Sequence, residues 1–176
     1  MTPTGIAIER LDAEGVAAMA PELSRILMDC VEGGGGVSFL HPLSPEKAEG
    51  FWRDEVVPAV ERGRTALLVA RAHTHIVGTV QVILGMRENQ PHRGEIAKLL
   101  VASGARRRGI ARSLMEAAQQ LAKDAGKILL VLDTETGSNA DLLYRSLGWQ
   151  EVGMVPNFAL TNHGVLCSVT YFYKAL

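Results

Sequence analysis

Cysteine is scarce in this chain: Cys30 and Cys167 are the only two in 176 residues, and they lie far apart. That excludes a disulfide-stapled scaffold or a cysteine-rich zinc module, and the pair reads as two reduced packing thiols. The five histidines, His41, His73, His75, His92 and His163, show no ligand spacing. No metal is expected, and His73 and His75 read as turn residues. No apolar run approaches the roughly 20 residues that span a bilayer. Met1-Thr2-Pro3-Thr4-Gly5 carries no basic stretch ahead of an apolar one, so the expectation is a cytoplasmic protein with no membrane partner. An excess of one charge is lacking as well. With Lys+Arg 18 against Asp+Glu 19, the formal net charge is −1, which does not suit a protein that coats nucleic acid. Any anion it binds must be met by a local cluster. Repeats and low-complexity linkers are absent too, so one domain spanning residues 1–176 is expected.

What is present is a succession of short periodic segments. Ile6 to Leu11 alternates apolar and polar residues and predicts a strand,. From Ala13 to Glu32, Val16, Met19, Leu23, Ile26, Leu27 and Cys30 fall at three- and four-residue steps and predict a helix,. Gly33 to Gly36 ends it. A second helix is expected after Ser44-Pro45, running through Phe51 and Trp52 towards Arg62,. Strands are predicted at Thr65 to Arg71, Ile76 to Leu84 and Gly94 to Val101. A helix follows from Ile110 to Ala125, with Ile110, Leu114, Ala117, Leu121 and Ala125 along one face. Ile128 to Leu132 reads as the most hydrophobic strand. A short helix from about Asn139 to Leu147 and two strands, Gln150 to Val155 and Val165 to Lys174, complete the chain. This order calls for a mixed sheet with helices on both faces, with a parallel strand–helix–strand unit from Gly94 to Thr134.

Between strand and helix in that unit stands Arg106-Arg107-Arg108-Gly109-Ile110-Ala111. The first amides of a helix have no internal partner and point outwards, and the helix dipole adds positive potential. Gly109 and Ala111 keep bulk away, so a diphosphate can approach the backbone. No Gly-Lys-Ser/Thr and no Gly-x-Gly-x-x-Gly is present, which sets this loop apart from a P-loop or a dinucleotide fingerprint.

Arg106-x-x-Gly109-x-Ala111 resembles the R/Q-x-x-G-x-G/A signature of the GNAT superfamily of N-acetyltransferases. Leu99-Leu100-Val101 stands where that family has its pantetheine-binding strand. Ala140-Asp141-Leu142-Leu143-Tyr144-Arg145-Ser146-Leu147-Gly148-Trp149 is similar to its A-x-x-x-Y-x-x-x-G-F element. The resemblance implies the GNAT fold, a central mixed, mostly antiparallel sheet of about seven strands with helices on both faces. It also implies acetyl-CoA as co-substrate, its pyrophosphate held by amides from Arg106 through Arg107, Arg108, Gly109, Ile110 and Ala111 to Arg112. The family's asparagine seven residues before the tyrosine is replaced by Gly137. Asn139 either takes over part of its role towards the pantetheine arm or caps the helix. Val31-Glu32-Gly33-Gly34 with Val37-x-Phe39, Glu95-x-x-Lys98-Leu99 and Leu132-Asp133-Thr134-Glu135 together resemble the tabtoxin-resistance acetyltransferases, whose acceptor is an amino-acid-like amine.

Direct attack of an amine on a thioester needs no enzyme nucleophile, only a neutral amine and a proton for the departing thiolate. An amine with pKa ~10.4 is neutral in about one molecule per few thousand at pH 7, a cost of roughly 4–5 kcal/mol. A carboxylate has to take that proton, directly or through water. Glu95 and, at the end of the following strand, Asp133 or Glu135 are the candidates; Glu95 and Asp133 are expected on neighbouring parallel strands, and each could instead bind the substrate ammonium. The resemblance gives Tyr144 the part of general acid towards the coenzyme A sulfur; the alternative is an interior aromatic that holds the last helix. Glu135 and Phe39 are candidates for the substrate side, with Phe39 and Trp52 equally readable as core. The partners expected are acetyl-CoA and a small amine, with the chain a monomer or homodimer. A protein acetyltransferase and a non-catalytic acyl-CoA-binding module are the rival readings.

Overall fold

The computed structural model of the chain describes residues 3–176; Met1 and Thr2, part of the N-terminal stretch read above, lie outside the described residues. Strand β1 (Ile6–Leu11) leads into helix α1 (Ala13–Glu32). Asp12 caps α1 by accepting a hydrogen bond from the Gly15 amide,. Helix α2 (Pro45–Gly50) starts at Ser44, whose hydroxyl accepts from the Lys47 amide. The expected single second helix is instead three joined pieces: α2, a wide π turn at Phe51–Val56, and α3 (Val57–Glu61). Pro58 gives the physical reason. It has no N–H to offer four residues back and its ring crowds that carbonyl, and the Val57 amide reaches to Trp52 O, five residues away,.

The strands β2 (Thr65–Ala72), β3 (His75–Ile83), β4 (Arg93–Val101), β5 (Leu129–Glu135), β6 (Gln150–Leu160) and β7 (Leu166–Ala175) join β1 in one seven-stranded sheet. Its order is β1-β2-β3-β4-β5-β7-β6, and every neighbouring pair is antiparallel except β4 with β5. Helix α4 (Ile110–Asp124) connects that parallel pair, and α5 (Asn139–Ser146) follows β5. Among the described residues no helix is long and apolar enough to cross a membrane, and no group of three or more His, Cys, Asp or Glu is placed to hold a metal ion.

Two cores lie on the two faces of the sheet. Val16, Leu23, Leu27 and Trp52 pack with Leu67, Val69 and Leu100 beneath α1 to α3. Ala66, Leu68, Val82, Ile96, Leu130, Leu132 and Phe172 pack against Ile110, Leu114 and Met115 of α4 and Tyr144 of α5. Full burial of side chains of this size contributes about 1.5–3 kcal/mol each, so each helical layer is held firmly to its face. The buried stripe of α4 differs from the one expected. Ser113, Met115, Ala118 and Ala122 are buried with Ile110 and Leu114, while Ala117 and Leu121 sit at the margin and Ala125 is exposed. At 3.6 residues per turn the buried face drifts off a strict four-residue ladder.

Candidate active site

The parallel pair β4/β5 opens part-way along its length. Its register holds for only three pairs, Arg93 with Leu129, Gly94 with Leu130 and Glu95 with Val131. Beyond them β4 stays with β3, where Leu100 faces Thr79 and Val101 faces Gly78, and β5 stays with β7, where Asp133 faces Tyr171. Between the diverging edges lies a slot lined by peptide groups that no longer bond across it. Leu99 and Val101 are half-buried along its β4 side, and Leu100 is turned into the core. The cause of the divergence lies in β4. Lys98 has φ 50°, and the β3 register shifts between Thr79 and Gln81. A bulge of this kind bends its strand.

The anion loop sits at one end of this slot. After β4 the chain makes a tight turn at Ser103–Ala105 and enters α4. Arg107 (φ 61°) and Gly109 (φ 79°) both adopt left-handed backbone. Gly109 is the N-cap of α4 and no side chain caps that helix, so its first amides are open to a ligand. Gly78 beneath it carries no side chain for a reason: a Cβ there would come within 2.9 Å of Leu100 O and 3.1 Å of Leu114 Cδ1. The helix start can therefore lie close against β3. Arg107 and Arg108 are exposed, and Arg112 reaches Ser146 Oγ at 3.4 Å. Arg106 is directed elsewhere. Its Nε donates to Val101 O at 3.1 Å and its Nη2 to Cys30 Sγ at 3.8 Å, so its side chain braces the end of α1 against the end of β4. Asp29 on the same turn of α1 accepts from Ser103 N and Ser103 Oγ, both at 2.7 Å. These two residues, rather than charge alone, hold the loop in place.

Across the slot stand Tyr144 and Asp133. Tyr144 is 5% exposed and packs by its ring on Trp149 and Phe172, with centroids 6.0 and 6.1 Å away. Burial, and then the charge of Asp133, push its phenol above the ordinary value,. Asp133 follows the core residue Leu132 and so faces the other side of the sheet. It keeps contact with solvent, yet enough protein surrounds it that desolvation lifts its carboxyl above the usual range, with Lys98 pulling the other way. The strand extends further than expected: β5 runs to Glu135 rather than stopping at Leu132, so Asp133 is inside a paired strand. Glu95 is the last paired residue before the opening and shares its charge with Arg93 Nη1 at 3.6 Å. Tyr171, opposite Asp133, also has its phenol raised, by desolvation first and then by Asp133 and Glu95. Asn139 is not the cap of α5. Ser138 is, accepting from Asp141 N at 3.2 Å, and Asn139 is exposed in the first turn. Where the family has its asparagine, Gly137 (φ 75°) donates its amide to Asp141 Oδ2 at 2.8 Å.

The far side of the slot is walled by the segment after α1. Phe39 lies edge-on to Phe51 at 5.4 Å, and Gly36 lies against the side chain of Glu135. Trp52, by contrast, is wholly buried in the core. Asn162, at the tip of the β6–β7 hairpin, ties this wall together. Its Nδ2 donates to Val31 O at 2.7 Å, and its carbonyl accepts from His41 N at 2.8 Å.

A family model for the acetyltransferase (GNAT) family matches residues 22–149, from within α1 to the turn before β6. The chain belongs to the GNAT acetyltransferase family. It is an acyltransferase that uses acetyl-CoA. An uncharacterized N-acetyltransferase in the hisH-hisA intergenic region of Azospirillum brasilense is 31% identical to it over 132 residues, 74% of this chain and 76% of that protein. The fold is shared with the ribosomal-protein-alanine N-acetyltransferase of Brucella melitensis, at TM-score 0.78 and 24% identity, over 97% of this chain and 99% of that one. It is also shared with yncA, a putative acetyltransferase of Salmonella typhimurium solved with its cofactor acetyl-CoA, at TM-score 0.77 and 15% identity, over 98% and 95% of the two chains.

The residues of this acetyltransferase fit acetyl-CoA on structural grounds: an uncapped helix start takes a diphosphate, and the unpaired edge of β4 takes an extended amide-bearing arm. Because the loop works through backbone, Gly109→Val should weaken acetyl-CoA binding at least tenfold, since a β-branched residue strains at φ 79°,. Arg108→Ala should cost only a few-fold, as expected for an exposed charge. Calorimetric titration with acetyl-CoA compares the two variants, and equal affinities would count against a backbone cradle. Lys98, Asp29, Tyr171 and Asn162 were not among the expected site residues. For Lys98 a signal existed, a lone lysine inside the apolar run Ile96 to Val101. For Asn162 there was none, since its bond to Val31 spans 131 residues of sequence.

Proposed function

We propose that this acetyltransferase acetylates the primary amine of a small molecule by direct attack in a ternary complex, the whole chain serving as one catalytic domain. The closed wall of the acceptor side carries this reading. Asn162 ties the segment after α1 to the β6–β7 hairpin, an arrangement that suits a compact acceptor better than a polypeptide laid across the slot. The resemblance to the tabtoxin-resistance acetyltransferases points to an amino-acid-like antibiotic or toxin as that acceptor.

Acetyl-CoA, when bound, supplies an acetyl thioester whose carbonyl carbon is open to a neutral amine. Asp133 takes the proton of the acceptor ammonium, directly or through water; its carboxylate stands at the slot, and among the described residues no ion pair within 4.0 Å claims it. Glu95, partly neutralised by Arg93, attracts the ammonium at the mouth. Tyr144 offers its hydroxyl to the departing sulfur; among the described residues no hydrogen bond claims that group, and its raised pKa keeps the proton on the oxygen at neutral pH. Leu99, Val101 and the amides from Arg107 to Arg112 hold the coenzyme.

Mass spectrometry of products after incubation with acetyl-CoA tests the reading, with a panel of small amines in one arm and amino-terminal peptides in the other. Acetylated small amines with unmodified peptides are expected. Acetylated peptides alone would replace this reading with that of a protein acetyltransferase, the activity printed in the name of the Brucella melitensis structure.

A further inference from the structure

Two lysines stand against the aromatic wall of the slot: Lys47, 6.0 Å from the ring centre of Phe39, and Lys98, the one that Asp133 influences. Lys98 leaves β4 at the bulge, and its ammonium donates to Ser38 Oγ at 3.2 Å. The Nζ lies 5.9 Å from the ring centre of Phe39 and 5.6 Å from that of Phe51. Glu55 and Asp133 are close enough to favour its charge, which desolvation opposes, yet among the described residues it makes no ion pair within 4.0 Å.

A half-buried ammonium against two aromatic rings carries a desolvation cost, and among the described residues no carboxylate within 4.0 Å offsets it. An apolar chain of the same length would fill that space without the desolvation cost. The charge is also misplaced for a site that takes only amines, because it repels the ammonium that Asp133 attracts. Both objections disappear for an acceptor that carries an anion beside its amine. We propose that Lys98, with Ser38 beside it, seats a carboxylate of the acceptor, so that the site selects amines bearing a carboxylate over the same amines without one. This rests on the small-amine reading above. The ammonium end of such an acceptor meets Asp133 and Glu95, and the carboxylate end meets Lys98, with each charge placed against its opposite. The Lys98 charge also contacts both wall aromatics. A lysine that merely bracing the wall required would leave the choice of acceptor untouched.

Matched pairs that differ only in the carboxylate read this directly: L-lysine with cadaverine, and L-ornithine with putrescine. Coenzyme A release at fixed acetyl-CoA gives kcat/KM for each. Wild type should prefer the carboxylated member at least tenfold. Measured on the pH plateau above the acid limb of each variant, Lys98→Met should abolish that preference through loss of rate on the carboxylated member, and Lys98→Arg should keep most of it. Thermal melting checks that the variants fold, and Lys98→Gln takes the place of the Met variant should that one not fold. Equal wild-type rates on both members of each pair would overturn the assignment, as would a Lys98→Met variant that slows both equally. No coenzyme A release with any pair would overturn the small-amine reading first and this inference with it.

Discussion

Tyr144→Phe should lower kcat by roughly 10²–10⁴-fold, the usual size of a general-acid contribution, while acetyl-CoA affinity stays within a few-fold of wild type. The substitution removes one oxygen and leaves the ring against Trp149 and Phe172, so the core keeps its packing and the melting temperature should move little. Full proton transfer from a phenol to a thiolate near pKa 8.5 is uphill by about 2 kcal/mol even with an ordinary phenol. Burial of Tyr144 raises its own pKa further. In the proposed role the hydroxyl would act chiefly by a hydrogen bond that strengthens as charge collects on sulfur. A raised phenol also means that its deprotonation sets no alkaline limb below the ordinary tyrosine range. Steady-state release of coenzyme A and calorimetric binding, measured on the same preparation, separate the two effects. A Phe variant with wild-type turnover would make Tyr144 a packing residue, and one that no longer binds the coenzyme would make it a positioning residue.

Asp133→Asn should cost about 10²–10³-fold in kcat, as for loss of a general base, and part of the rate should return at high pH as free amine becomes abundant. Glu95→Gln should instead raise the acceptor KM with a smaller loss of kcat, because that carboxylate is at the mouth and paired with Arg93,. The acid side of the wild-type profile follows from the direction of the Asp133 shift. Desolvation raises its pKa above 3.8, and the rate falls as pH drops through the raised value and the carboxylate takes up a proton. Lys98 opposes that rise, so Lys98→Met should move the acid limb to higher pH. pH–rate profiles at saturating acetyl-CoA check all three variants. Wild-type profiles for both carboxylate variants would leave deprotonation to solvent.

The uncapped helix start at Gly109 was legible in the sequence because it depends on residues whose backbone properties are local. Gly109 and Ala111 at a strand–helix junction say where bulk must be absent, and no distant contact is needed to read them. The seven strands and their order were legible for a similar reason, since each has its own alternation or apolar run. The end of β5 was not. Asp133 and Glu135 are weak strand formers, and the segment stays extended because β7, more than thirty residues later, pairs with it. The π turn at Phe51–Val56 was not read from the sequence: Pro58 lies inside the expected helix, and an interior proline announces a break or a kink without saying which form it takes. Ser138 and Asn139 are both good caps on composition, and only the geometry assigned the cap to Ser138. The acceptor wall joins residues from both ends of the chain, so nothing local announced it.

The open stretch between β4 and β5 has a thermodynamic consequence. The sheet is continuous through only three pairs at this point, so its two halves are joined there chiefly by one end of a parallel ladder and by the helices that bridge it. A ligand lying along the unpaired edge of β4 takes the place of a missing strand segment. With acetyl-CoA bound there, as proposed, the coenzyme would be part of the folded structure as well as a reactant, and its binding free energy would add to the stability of the native state. At a free concentration a hundred times Kd that contribution is about 2.7 kcal/mol. The same sum gives nearly nothing at low coenzyme levels, so the resistance of this chain to unfolding and proteolysis follows the supply of its own substrate.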